Sequence, residues 1–218
     1  MNKDPEIKKS LVYSYLAHRT AIGVLGMALP FVLSLGAWIF FQTGMQGSIS
    51  SYYHTGMRNV LVGSLWAIGF FLLSYKGYDR DHIASIVASI GAIGISLFPV
   101  TSDTNSCSES KLTGNIHLFF AALFFITLIY FSLFLFTKTD QEKIIGKKQR
   151  RNLIYKMCGY VMAGCILLIA IYFLFLNTDD TPLKKANPVF WLETVAILSF
   201  GFSWLVKGQA ILKDNVND

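Results

Sequence analysis

Residues 116–136 read IHLFFAALFFITLIYFSLFLF, a run of 21 residues that contains no Asp, Glu, Lys or Arg. A helix of about 20 apolar residues crosses the roughly 30 Å hydrocarbon core of a bilayer. A strand of a membrane barrel alternates between apolar and polar residues, and this run does not. The stretch therefore predicts a transmembrane helix.

Five further apolar runs of 17 to 21 residues accompany it along the chain. The composition agrees, because 53% of the residues are hydrophobic and only 15% are charged, which leaves too little polar surface for a water-soluble domain. We therefore predict an all-α fold in which a single domain, residues 1–218, forms an antiparallel bundle of six transmembrane helices. The predicted spans, with short extensions from their flanks, are 20–42, 55–76, 82–100, 114–137, 153–176 and 188–212.

The basic residues predict the orientation of this bundle. Fifteen of the 19 Lys and Arg residues fall on one side of the predicted topology, and four fall on the other. The positive-inside rule then places both termini in the cytoplasm. The first run lacks a small-residue cleavage site, so we expect it to act as an uncleaved signal anchor. The four residues on the outer side are Arg58, Lys111, Lys184 and Lys185.

The run KKQRR at residues 147–151 is the densest group of positive charge. It stands directly before a predicted span. A nucleic-acid site would have aromatic residues between its charges, and this run has none. We interpret it as a topology anchor that touches anionic lipid headgroups, and we predict membrane lipids but no nucleic acid as partners. The sequence leaves protein partners open.

The third and fourth spans have residue patterns that predict how they pack. Small residues recur every four positions in the third span, at Ala84, Ala88, Ala92 and Ser96. Such a face lets helix backbones approach closely, so we expect this helix to cross a neighbour tightly and to be central. The fourth span is rich in Phe and is expected to face lipid or to line a cavity.

Candidate functional residues gather at the outer ends of different spans. Ionisable side chains at membrane depth cost several kcal/mol unless they are paired or solvated, and they commonly mark functional sites. Four of them stand before, after or at the start of a span, and Glu193 lies about one turn inside the last span. The set is His54, Arg58, Asp103, His117 and Glu193.

Two histidines and two carboxylates are ligand types of a zinc site with an open position for water. Such a metal lowers the pKa of bound water to about 7, which suits attack on an ester or amide of a lipid. We therefore predict His54, Asp103, His117 and Glu193 as catalytic and metal-binding residues around one outward cavity. Arg58 is predicted to pair with Glu193 or to hold a headgroup. The same residues also fit a proton relay, hydrogen-bonded histidines at helix ends and an Asp that caps a turn.

Three segments resemble an uncharacterised family of six-span bacterial inner-membrane proteins, and more distantly the DRAM/Sfk type of six-span proteins. They are SSYYHTGMRN at residues 50–59, FPVTSD at 98–103 and IHLFFAA at 116–122. The resemblance implies a location in the bacterial inner membrane and implies no particular reaction.

The sequence leaves the function open between three classes. The first is an outward-facing polar cavity that handles a lipid or amphiphile, with a metal-assisted lipid hydrolase as its enzymatic form. The second is a non-enzymatic lipid-binding or transport protein, in which Arg58 and Lys184 or Lys185 hold an anionic headgroup. The third is a structural or regulatory partner of another membrane protein. A zinc-type divalent metal is the cofactor that the first class would need, and whether the protein is an enzyme stays undecided.

Overall fold

The computed structural model describes residues 5–75, 81–101, 108–138, 146–176 and 182–212. Every regular element within these ranges is helical, as predicted. The helices are α1 (Pro5–Phe41), a 3₁₀ helix (Ser50–His54), α2 (Arg58–Leu73), α3 (Asp81–Leu97), α4 (Ser108–Tyr130) with a π-helical turn (Phe131–Leu135), α5 (Lys147–Ile171) with a second π-helical turn (Tyr172–Leu176), α6 (Pro182–Lys185) and α7 (Pro188–Lys207).

Within the described ranges, four helical segments are long and apolar enough to cross a membrane, and they belong to α1, α4, α5 and α7. Helices α2 and α3 are also apolar but shorter, with 16 and 17 residues. Helix α3 ends at Leu97, two residues before Pro99. A proline disfavours helical geometry at the residue before it. The predicted span 82–100 is therefore longer than the helix that forms.

The connection between α1 and α2, residues 42–57, contains the 3₁₀ helix. We call it the docking loop, and the end of the bundle that carries it the loop end. Helix α7 packs against α1 and α5, whereas α3 packs against α2 and α4. These neighbours bring the docking loop, the end of α3 and the starts of α4 and α7 to the loop end.

The crossing of α3 and α4 is close, as the small residues of α3 predict. Ala88 and Ala92 are fully buried. A Cβ atom added at Gly91 would lie 3.0 Å from the backbone nitrogen of Phe124. The backbones of α1 and α7 approach as closely, since a Cβ atom at Gly23 would lie 2.8 Å from the Gly201 carbonyl oxygen.

The phenylalanines of α4 do not all follow the prediction that this helix faces lipid or a cavity. Phe119 is exposed, but Phe124 and Phe131 are buried in the core. The ring of Phe131 lies 5.7 Å from that of Trp204, centroid to centroid. The prediction was wrong for Phe131, which packs in the core against Trp204 of α7. Phe124 is buried but lines a cavity, as predicted.

Candidate functional site

The docking loop is held against the first turn of α7 from both sides. The Phe190 backbone amide donates to the Gly47 carbonyl oxygen at 3.0 Å. In return, the Ile49 amide donates to Glu193 Oε2 at 2.5 Å. Tyr52 is fully buried beneath this junction, with its ring 6.3 Å from that of Phe190. Burial raises the pKa of the Tyr52 phenol above its usual value.

Glu193 therefore caps a backbone, and among the described residues no cation pairs with it. The 3₁₀ helix starts at Ser50, and the first amides of a helix lack partners within it. A carboxylate near those amides is favourable because it accepts their hydrogen bonds and lies at the positive end of the helix.

The predicted ion pair between Arg58 and Glu193 was wrong. Arg58 turns instead to Tyr53, with its guanidinium carbon 4.2 Å from the ring centre and a 2.5 Å hydrogen bond from Nη2 to the phenolic oxygen. Arg58 opens α2 and is exposed, whereas Glu193 is held by the docking loop.

The two predicted histidines hold the segment that follows α3. His117 is buried, and its Nδ1 lies 2.7 Å from the Phe98 carbonyl oxygen. His54 is exposed, and its Nε2 lies 2.8 Å from the Val100 carbonyl oxygen. A carbonyl oxygen only accepts, so each of these ring nitrogens donates. The segment is thus fixed from α4 on one side and from the docking loop on the other.

Three adjoining cavities lie beneath the docking loop, and we call them together the chamber. The mouth has a volume of about 450 Å³, the middle cavity about 220 Å³ and the inner cavity about 40 Å³. The middle cavity shares Ser48, Val100, Leu118, Phe173 and Val189 with the mouth. It shares Ser50, Phe125 and Glu193 with the inner cavity.

The lining changes from polar to apolar along the chamber. Asn115, Lys184 and Asn187 line the mouth. In the middle cavity, His117 and Glu193 are the ionisable members of a wall that is otherwise mostly aliphatic and aromatic. The inner cavity is apolar apart from Ser50 and Glu193. This gradient suits a ligand that has one polar and one apolar end.

The structure brings together only part of the predicted site. His117 and Glu193 share the middle cavity, while His54 is absent from its lining. Asp103 lies outside the described residues. Within the described ranges, no group of three or more His, Cys, Asp or Glu side chains is arranged to hold a metal ion.

The remaining pair, His117 and Glu193, can still bind a ligand or transfer a proton. The hydrogen bond to Phe98 places the proton of a neutral His117 ring on Nδ1, which leaves the lone pair on Nε2. An imidazole and a carboxylate on one apolar wall can accept hydrogen bonds from a ligand or transfer a proton.

Sequence reasoning missed the docking loop as a wall of the chamber. Gly47, Ser48, Ser50 and Ser51 all line it. The available signal was the cluster of Gly and Ser at residues 47–51, which is typical of turn chemistry.

Comparison of the chain with family models, with curated proteins and with solved structures finds no match. The described parts of the three segments that carry the family resemblance nevertheless meet at the loop end. Ser50, Val100 and His117, one from each segment, line the middle cavity. The chamber is therefore the feature on which a functional proposal can rest.

Proposed function

We propose that this protein is a six-span protein of the bacterial inner membrane, with both termini in the cytoplasm, and that its outward-facing chamber binds a lipid or another amphiphile. The observation that carries the proposal is the path from a polar mouth to an apolar interior beneath the docking loop. The mouth, with about 450 Å³, is of the size that small-molecule sites have, roughly 300 to 1,000 Å³, and the middle cavity of about 220 Å³ adjoins it. Membership of the six-span family that the sequence resembles belongs to the same proposal.

A single-chain amphiphile fits this path in one direction. Its headgroup would lie at the mouth, near the exposed ammonium group of Lys184 and the amide of Asn115. Its apolar chain would pass Leu118 and Phe173 into the middle cavity. Glu193, which already accepts from the Ile49 amide, would then also accept a hydrogen bond from a hydroxyl or another donor on the amphiphile, because a carboxylate has room for several hydrogen bonds.

The test is binding of radiolabelled lysophosphatidylcholine to the purified protein. Ala121→Phe places a ring in the wall of the middle cavity, so we expect binding to weaken by about tenfold or more, because space for the chain is lost. Ala17→Phe, on an exposed face of α1 outside the chamber lining, is the matched control and should bind like the parent. Equal binding by all three proteins would contradict the proposal.

A metal-assisted lipid hydrolase is the second candidate, because His117 and Glu193 line the same cavity. Two side chains are fewer than the three protein ligands that catalytic zinc sites commonly have. Metal analysis of the purified protein separates the two candidates. Stoichiometric zinc that is lost in Glu193→Gln and in His117→Gln would favour the hydrolase, and amphiphile binding without bound metal or hydrolysis would favour the binding protein.

A further inference from the structure

The opposite end of the bundle carries a second group of charged residues, which we call the basic end. Arg19 comes from α1, Lys148 and Arg151 from α5, and Lys207 from the last turn of α7. Lys207 lies within electrostatic range of the other three. Four cations from three helices therefore converge on one region.

Arg19 is held in a fixed position by neutral groups. Its guanidinium carbon lies 3.9 Å from the ring centre of Tyr15 and 5.2 Å from that of Tyr75. Its Nη2 donates to the Tyr15 hydroxyl at 2.5 Å, and its Nη1 donates to the Lys207 carbonyl oxygen at 3.4 Å. Arg19 Nε is buried and has no hydrogen-bond partner within the part of the chain that the structure describes. A buried donor without an acceptor is destabilising.

Lys207 lies on an aromatic surface next to Arg19. Its Nζ is 5.2 Å from the ring centre of Phe136 and 6.0 Å from that of Tyr155. Lys148 approaches the same place, since its Nζ donates to the Phe136 carbonyl oxygen at 3.3 Å. Both Lys207 and Arg19 are partly exposed, so a ligand can reach them from the surface of this end.

Asp81 is the described carboxylate of this region; it forms a 2.8 Å ion pair with Lys138 and also lies within electrostatic range of Lys207. Like charges repel strongly where the surroundings are poorly polarisable. An anion that accepts hydrogen bonds from both Arg and Lys would relieve this repulsion.

We propose that Arg19 and Lys207 bind the phosphate group of an anionic phospholipid at the basic end, with Lys148 and Arg151 adding positive charge. A phosphodiester offers several acceptor oxygens to a guanidinium fork and an ammonium group. Basic pockets between membrane helices are suited to lipid headgroups. This site is independent of the chamber, and its failure would leave the proposed function untouched.

The experiment compares thermal unfolding of the full chain in vesicles of phosphatidylcholine alone and in vesicles that also contain phosphatidylglycerol. We expect phosphatidylglycerol to raise the unfolding temperature of the parent protein. Arg19→Gln combined with Lys207→Gln should remove this rise, and apparent affinity should fall by about tenfold for each lost charged contact. Lys111→Gln combined with Lys185→Gln removes the same charge at exposed positions of the loop end that do not line the chamber, and it should keep the full rise.

A further arm distinguishes the lipid from a soluble anion of the same chemistry. Inorganic phosphate added to the parent in phosphatidylcholine vesicles should have little effect if the headgroup is the ligand, whereas a rise with phosphate alone would assign the site to a soluble phosphate. No response of the parent to either probe would overturn the proposal, and this arm does not depend on whether the variants fold. A rise that persists in the Arg19 and Lys207 variant would also overturn it.

Discussion

Glu193 illustrates how a carboxylate is accommodated near the start of an apolar helix. Its cost at this depth predicts that it needs a partner, and that part of the inference is confirmed by the 2.5 Å hydrogen bond from the Ile49 amide. Which partner it takes could not be predicted, because an amide left open at the start of a 3₁₀ helix has no signature in side-chain chemistry. Arg58 was the nearest cation in the sequence-based picture, but Tyr53 holds it.

A double-mutant cycle checks this assignment. Arg58→Met, Glu193→Gln and the combined variant should show additive losses in the free energy of unfolding in detergent, with a coupling below about 0.5 kcal/mol. The reason is that the two side chains have different partners. A clearly larger coupling would restore the ion pair between them and would contradict the capping role of Glu193.

The control for the cycle is a change that removes the acceptor itself. Glu193→Leu leaves the Ile49 amide without its partner, so it should destabilise the protein by about 1 to 3 kcal/mol. Glu193→Gln retains a carbonyl oxygen that can accept the bond and should cost less.

The histidines show the same limit of sequence reasoning at the residue scale. Residue type predicts His54 and His117 as ligands, and the structure shows that one nitrogen of each ring donates to a backbone carbonyl of the segment after α3. Residue type predicts that a histidine needs a partner near a helix end. It does not distinguish a metal from a carbonyl oxygen. Either ring nitrogen can bind a metal through its lone pair or, when it carries a proton, donate to a carbonyl oxygen.

At the scale of elements, apolar length and small-residue spacing predicted most of what formed. A run of apolar residues needs only its own backbone to become a helix in a membrane, and each of the six runs is helical over most of its length. The docking loop was not predicted, because its position depends on contacts with α7 that are far away in sequence. The close approach of Gly23 and Gly201 was missed for the same reason.

The crossing of α3 and α4 permits a matched glycine test. Gly91→Ala puts a methyl group within 3.0 Å of the Phe124 backbone, so the helices must move apart, and we expect a loss of about 1 to 3 kcal/mol in the free energy of unfolding. Gly63→Ala is the same substitution on α2, where nothing lies within 4 Å of the added atom. It should be neutral or stabilise by up to about 1 kcal/mol, because alanine favours a helix.

Thermal or denaturant unfolding in detergent measures both glycine variants. Similar stability of the two proteins would show that the α3 and α4 backbones are farther apart than the structure places them. The test is informative because the helix propensity of alanine acts in the same direction at both positions. Only the neighbouring backbone differs between them.

At the scale of the whole molecule, the two ends of the bundle differ in charge and in shape. The loop end holds the chamber with Lys184 at its mouth, whereas the basic end gathers Arg19, Lys148, Arg151 and Lys207. The same asymmetry that sets the proposed orientation therefore also separates the two proposed binding sites. A membrane whose inner leaflet is rich in anionic lipid would meet the basic end.

Cysteine labelling in intact cells tests this orientation. Gln149→Cys and Lys185→Cys replace exposed residues at opposite ends of the bundle, in a chain whose native cysteines are replaced by serine or alanine. Because 15 of the 19 basic residues fall on the side predicted to be cytoplasmic, an impermeant thiol reagent should modify Cys at position 185 and leave position 149 unmodified. Both should react after the cells are permeabilised, which controls for local accessibility. The reverse labelling pattern would show the opposite orientation, in which the chamber opens to the cytoplasm and the basic end meets the outer leaflet.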